Sequence, residues 1–249
     1  RIMQSMWITP QWAAPPGVHA AFTLRTGGVS AAPFDTLNLG AHVGDDPLRV
    51  AENRRRIAQA LALPSSPAWL QQVHGVTVHE LGTGTDAPRG PADGAFTRVR
   101  GRVCAILVAD CLPVLFAARD GSVVGAAHAG WRGLAAGVLE ATVRAMGVPA
   151  GDLVAWLGPC IGPQHFEVGE DVRSVFLETD AGAAKAFRRG RGDRWWCDLP
   201  QLAQRRLAAC GVGAVAADGS CTFTDRERCF SFRRDGQCGR MAALVWMAA

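Results

Sequence analysis

The sequence predicts an α+β fold built around a mixed sheet. Apolar runs of strand length fill its middle, at residues 103–109 and Leu112–Ala118. Arg119-Asp120-Gly121 joins the second run to residues 122–127, and Asp-Gly between apolar runs signals a hairpin because glycine accepts the positive φ of tight turns. Helical periodicity occurs only in separate blocks, without the regular strand–helix–strand alternation of a parallel α/β sheet.

Residues 1–40 alternate short apolar runs with turn residues such as Gly27-Gly28 and Pro33, a pattern of strands and loops. Asp46-Pro47 then opens a helix over 48–61, in which Val50, Ile57 and Leu61 recur at helical spacing until Pro64 stops it. Residues 69–73 and 76–78 read as strands flanking His74-Gly75. If the 112–118 and 122–127 runs pair antiparallel, Cys111 and His128 lie within about two residues of being opposite. A helix is predicted over 134–146, closed by Gly147 and Pro149, and its N-terminus would favour phosphate. A short strand over 154–157 leads into the turn Gly158-Pro159-Cys160-Ile161-Gly162-Pro163. Helices follow over 171–177 and 199–209, then strand-like pieces over 215–224, 229–233 and 241–246.

With 249 residues, 49% hydrophobic and 19% charged, the chain has material for a sizeable core, and one domain over 1–249 is expected. A net charge of +4 without a long run of like charges predicts no nucleic-acid partner. The basic stretch Arg188-Arg189-Gly190-Arg191 reads as a solvated loop. No apolar stretch is long enough to span a membrane, and Gln4, Pro10, Gln11 and Pro15 interrupt any signal-peptide core. The expectation is a cytoplasmic protein, monomeric or weakly dimeric, with its eight cysteines reduced.

Chemistry-bearing residues are few. His74, Cys111 and His128 offer two imidazoles and a thiolate, which suit zinc, and three ligands leave a fourth position open for catalysis. Their spacing alone also fits ordinary core residues. Arg25, Arg54, Arg132 and Arg233 are candidates for binding phosphate, each weighed against a solvated surface arginine. Asp110 would either orient a ligand imidazole or cap a turn. Cys160 paired with His165 would make a nucleophile, against a buried small hydrophobe that fits as well. Trp131 and Phe166 have the shape to stack on a flat heterocycle.

These residues fall in segments that carry a family resemblance. Gln72-Val73-His74-Gly75, Ala109-Asp110-Cys111-Leu112-Pro113, His128-Ala129-Gly130-Trp131-Arg132-Gly133 and Gly158-Pro159-Cys160-Ile161-Gly162 resemble, in order, motifs of the YfiH-like laccase-domain family, once labelled multicopper polyphenol oxidases. Arg25-Thr26-Gly27-Gly28-Val29-Ser30, Leu37-Asn38-Leu39-Gly40, Asn53-Arg54, Cys221-Thr222, Phe230-Ser231-Phe232-Arg233-Arg234-Asp235 and Gly239-Arg240-Met241-Ala242 extend it over nearly the whole chain. Phe166 and Phe232 stand where such proteins usually have tyrosine.

The resemblance implies a mixed β-sandwich core flanked by helices and one zinc on His74, Cys111 and His128, with copper as the alternative metal. It further implies phosphorolysis of adenosine, inosine, guanosine and methylthioadenosine to free base and ribose 1-phosphate, with adenosine deaminase as a side activity. The rival readings are a copper-dependent polyphenol oxidase and a Cys-His hydrolase using Cys111 or Cys160. Only six histidines are present, too few for a multicopper cluster once the motifs are assigned.

Overall fold

Two sheets face each other, and helices cover their outer faces. The computed structural model describes residues 5–84 and 90–249, so Gln4 of the N-terminal reading lies outside the described residues. Strands β1 (Trp7–Ile8) and β2 (Val18–Thr23) precede helix α1 (Pro47–Ala60), followed by β3 (Val78–Glu80), β4 (Gly94–Thr97), β5 (Val103–Val108), β6 (Leu112–Ala118) and β7 (Val124–Ala129). The chain continues through α2 (Trp131–Ala136), α3 (Val138–Met146), β8 (Leu153–Leu157), β9 (Glu167–Val168), α4 (Glu170–Thr179), β10 (Phe187–Arg189) and β11 (Trp195–Cys197). It ends with α5 (Leu199–Cys210), β12 (Ala214–Ala217), α6 (Phe232–Asp235) and β13 (Met241–Met247).

The strand orders are β1-β2-β13-β5 and β12-β8-β6-β7-β4-β3, with a small sheet β10-β11-β9 at the side. Parallel pairs β12–β8 and β3–β4 among antiparallel neighbours make the larger sheet mixed, as the sequence predicts. The apolar runs are unbroken because both faces of these strands are buried. In β5, Cys104, Ile106 and Val108 point into the layer between the sheets, while Val103, Ala105 and Leu107 pack with Ile57 of α1. In β6, Leu115 and Ala117 face the other sheet, and Leu112, Val114 and Phe116 pack under α3 and α5. The result is the helix-flanked sandwich that the family resemblance implies.

Strands β6 and β7 form the expected hairpin, with Leu112 opposite Ala129 and Pro113 opposite His128. Helix α1 starts where Asp46 accepts a hydrogen bond from Leu48 N, with Pro47 in the first turn, where its missing N–H costs nothing.

Four local expectations are corrected. Residues 69–77 form no strand, because the backbone N–H groups of Val73, His74 and Gly75 are taken by the Asp93 carboxylate instead of a ladder. The 134–146 helix is two helices, broken where Gly137 takes φ of 100°. The N-termini therefore lie at Trp131 and Val138 instead of Leu134, and the first turn of α3 carries Glu140, paired with Arg206 at 3.0 Å. The 229–233 piece is no strand: Ser231 caps the short helix α6, accepting from Arg234 N. Within 215–224 only β12 is extended strand, and Cys221 makes a lone bridge to Cys160.

Candidate metal centre

The site lies where the chain passes from one sheet to the other. Strand β5 ends at Val108, β6 begins at Leu112, and Asp110 between them sits at φ of 92°. That left-handed residue turns Cys111 toward His128, which is 3% exposed near the end of β7. His74 arrives from the irregular segment before β3, itself left-handed at φ of 62°. The ligand atoms of His74, Cys111 and His128 all lie within 4.8 Å of one another, with Cys111 Sγ 3.8 Å from His74 Nε2. A tetrahedral zinc with its usual bond lengths needs donor separations of roughly 3.5 Å, so a small contraction closes the set.

The surroundings fit a metal. Gly130 approaches so closely that a Cβ there would meet Cys111 Sγ and His74 Cδ2, both at 2.9 Å. Asp93, fully buried, accepts from His128 Nδ1 at 2.8 Å and from the N–H groups of His74 at 2.9 Å, Gly75 at 2.7 Å and Val73 at 3.1 Å. It thereby fixes the loop that carries one ligand and turns His128 Nε2 toward the other two, the usual arrangement behind a metal-bound histidine. Burial works against its charge, but the bonds from His128, Gly75 and Val73 win and hold its carboxyl below the ordinary carboxylate value. Burial likewise opposes the Cys111 thiolate, yet the His128 charge and hydrogen bonds from both imidazoles bring the thiol below its ordinary value. For His128, burial is outweighed by Cys111 and Asp93, which raise it. The donor set is therefore polarised toward thiolate, the form that binds metal.

Two cavities share the wall formed by His74, Cys111, Arg132 and Phe232. One, of about 160 Å³, is lined further by Trp131, Ile161, Phe166, Leu199, Asp110 and Arg233. The other, of about 350 Å³, is lined further by His42, Gln72, Leu107, His128 and Arg240.

The four candidate arginines part company. Arg132 and Arg233 reach the site, Arg132 over the Trp131 ring at 4.5 Å and Arg233 over the Phe166 ring at 5.2 Å. Arg54 lines neither cavity: its Nε and Nη2 both donate to Leu39 O, and its guanidinium lies 4.2 Å from the Trp69 ring centre. Arg25 borders a separate cavity, bonded to Asp35 and to Arg226 O. Asp110 orients no imidazole; it accepts from Thr222 Oγ1 at 2.6 Å and Arg233 N at 2.7 Å, tying α6 to the site. The orienting carboxylate is Asp93, whose only sequence signal was an Asp-Gly pair that reads as a turn. Cys160 is buried, and burial drives its thiol well above the ordinary value. His165 stands 3.9 Å from Cys221 Sγ, so the Cys160–His165 pairing is replaced by Cys221–His165.

Residues 19–248 match the family described as multi-copper polyphenol oxidoreductase laccase. The chain is 53% identical over 243 residues to a purine nucleoside phosphorylase of Pseudomonas aeruginosa, covering 97% of this chain and 98% of that one. It is 51% identical to the purine nucleoside phosphorylase YfiH of Escherichia coli K12, covering 98% and 99%. A crystal structure of a Neisseria meningitidis protein superposes with a TM-score of 0.92 at 43% identity, covering 98% of this chain and 100% of that one. YlmD of Geobacillus stearothermophilus superposes at 0.88 with 32% identity, covering 94% and 93%. No helix among the described residues is long and apolar enough to cross a membrane.

Proposed function

We infer the function from one premise: the chain belongs to the multi-copper polyphenol oxidoreductase laccase family, in which its relatives are purine nucleoside phosphorylases. We propose a zinc-dependent purine nucleoside phosphorylase acting on adenosine, inosine, guanosine and methylthioadenosine, with adenosine deamination as a side activity. The observation that carries the reading is the meeting of His74, Cys111 and His128 at the junction of two cavities, one aromatic and one basic, with His74 and Cys111 on their common wall and His128 lining the basic one.

In phosphorolysis a phosphate oxygen bonds to the anomeric carbon of the ribose as the glycosidic C–N bond breaks. The bonding pair leaves on the purine nitrogen, giving ribose 1-phosphate and, after protonation, the free base. Trp131, Phe166 and Phe232 offer flat apolar surface to the base. Arg132, on the shared wall, brings a fixed positive charge to the place where anion and nucleoside meet, and Arg233 does so at the aromatic end. Asp93 holds His128 in one tautomer and orientation. When bound, the metal supplies Lewis acidity and, for deamination, water of lowered pKa.

Zinc is favoured over copper by the form of the site. Two histidines and a cysteine with a weak axial methionine make an electron-transfer copper centre, but no methionine lines either cavity here, and His74 and Cys111 open on both. Among the described residues this triad is the one cluster of histidine, cysteine and carboxylate that would hold a metal, whereas a multicopper centre requires several. Incubation with each nucleoside, with and without phosphate, and chromatography of the products tests the proposal. Free base and ribose 1-phosphate should form only with phosphate, on protein containing about one zinc per chain. Phenol oxidation by copper-loaded protein without base release would overturn it.

A further inference from the structure

We propose that the larger, basic cavity is the anion subsite, and that His42 and Arg240, which line it together with the shared Arg132, take the phosphate. The inference rests on the phosphorylase reading and assigns parts of the molecule that the metal centre leaves unexplained.

Charge divides the two cavities. The aromatic one includes a carboxylate, Asp110, whereas no Asp or Glu lines the basic one. Arg240 forms no ion pair among the described residues. Its Nη1 donates to the backbone oxygens of Cys238 at 2.9 Å and Gly239 at 3.0 Å and lies 3.6 Å from Cys238 Sγ, and Nε and Nη2 have no hydrogen-bond acceptor among the described residues. Arg132 makes no hydrogen bond among the described residues and is exposed into both cavities. Burial and the charges of Arg240, Arg54 and His128 hold the His42 imidazole below its ordinary value, a sign of the positive potential around it. Unneutralised guanidinium donors facing a cavity free of carboxylates attract a multiply charged oxyanion.

The scaffold behind these residues is built. Buried Asn38 accepts through Oδ1 from Gly40 N and Arg240 N, both at 2.9 Å, and Leu39 N donates to Arg240 O. Asn53 Nδ2 holds Asn38 O at 2.9 Å, and Arg54 holds Leu39 O at 2.8 Å. Gly40 is small because Arg240 lies against it: a Cβ there would meet Arg240 Cγ at 2.8 Å. The segments Leu37-Asn38-Leu39-Gly40, Asn53-Arg54 and Gly239-Arg240, none of which supplies a triad residue, thus share one task, the placing of Arg240 and the His42 turn.

The test uses the zinc-containing protein with Arg240→Gln, His42→Asn and, as a surface control, Arg188→Ala. Calorimetric titration with inorganic phosphate reads binding without catalysis, and steady-state assays separate KM for phosphate from KM for inosine. Losing a charge-assisted bond should weaken phosphate binding and raise its KM about tenfold to a hundredfold in Arg240→Gln. In His42→Asn the loss should be about threefold to tenfold. KM for inosine should change less than about threefold, and the control should match the wild type. His42 is exposed and makes no hydrogen bond among the described residues, so that variant folds even if Arg240→Gln does not. Unchanged phosphate binding in both variants, or an equal rise in KM for inosine, overturns the subsite. Phosphate binding that depends on these residues in a protein that cleaves no nucleoside keeps the subsite and refutes the phosphorylase reading. Phosphorolysis with phosphate KM untouched in the variants does the reverse.

Discussion

Asp93→Asn separates holding the ligands from binding the metal. The carboxylate accepts four bonds in a fully buried position, one from His128 Nδ1 and three from the N–H groups of Val73, His74 and Gly75. An amide offers one oxygen. With that oxygen toward His128 and His74, its NH₂ faces the donors of Val73 and Gly75, and two accepted bonds are lost. At about 1.5–3 kcal/mol per charge-assisted bond, the variant should lose about 3–6 kcal/mol, a large part of the roughly 5–15 kcal/mol that holds a typical domain together. Guanidinium unfolding of chelator-treated wild type and variant measures this loss without any contribution from metal. Competition with a chromophoric chelator should then show zinc affinity down by about tenfold to a hundredfold, as expected when the partner of a ligand histidine is removed. A stability loss below about 1 kcal/mol together with unchanged zinc affinity would refute the role assigned to Asp93.

His128→Ala and Cys111→Ser should each abolish phosphorolysis and bound zinc together, measured by product chromatography and elemental analysis. Cys160→Ala keeps both and loses only about 1 kcal/mol of stability, because its buried thiol packs rather than reacts. Gly130→Ala, at an extended N-cap backbone (φ −62°, ψ 159°) that alanine adopts without strain, should fold yet bind zinc more weakly, since its methyl displaces Cys111 and His74; wild-type affinity would contradict the close approach. Asp180 sits on Arg205 through bonds of 2.7 and 2.8 Å, and the Arg205 hydrogen bond holds its carboxyl below the ordinary value. The folded value is the lower one, so this stabilisation is full above the unfolded carboxylate value and is lost as pH falls through the folded one. The gap in unfolding midpoint between wild type and Arg205→Gln should therefore be widest near neutrality and close in acid; a gap that does not vary with pH would exclude the pair as its cause.

The central hairpin was legible because its signals are local. Its apolar runs are buried on both faces, and Asp120-Gly121 marks the turn, so the neighbourhood of Cys111 and His128 followed from register alone. For His74 residue type and the family resemblance spoke, but no register did: its loop is shaped by a carboxylate nineteen residues further on, which no periodicity reports. Strands β9 to β11 and β4 are too short to show alternation, and Gly137 looks tolerable inside a helical pattern until its φ is known. Arginines were the least legible. A motif places the backbone, but whether a guanidinium ends on Leu39 O, as in Arg54, or in a cavity, as in Arg132, depends on what the other layers bring alongside.

Strand β13 lies between β2 and β5, with Ala243 beside both Phe22 and Ile106. A strand that follows the other strands of the first sheet by more than 130 residues therefore occupies its middle, and β5, which leads straight to Cys111, has no neighbour in that sheet until residues 241–247 arrive. Contacts of such long sequence separation slow folding and leave apolar strand edges uncovered in the meantime. A nascent chain halted before Met241 would carry all three residues of the triad on an unfinished sheet and would lack Arg240's closing partner strand. Arrival of β13 is thus the event that joins β2 to β5 and closes the first sheet behind the triad, and a chaperone acting on this protein would be needed most just before it.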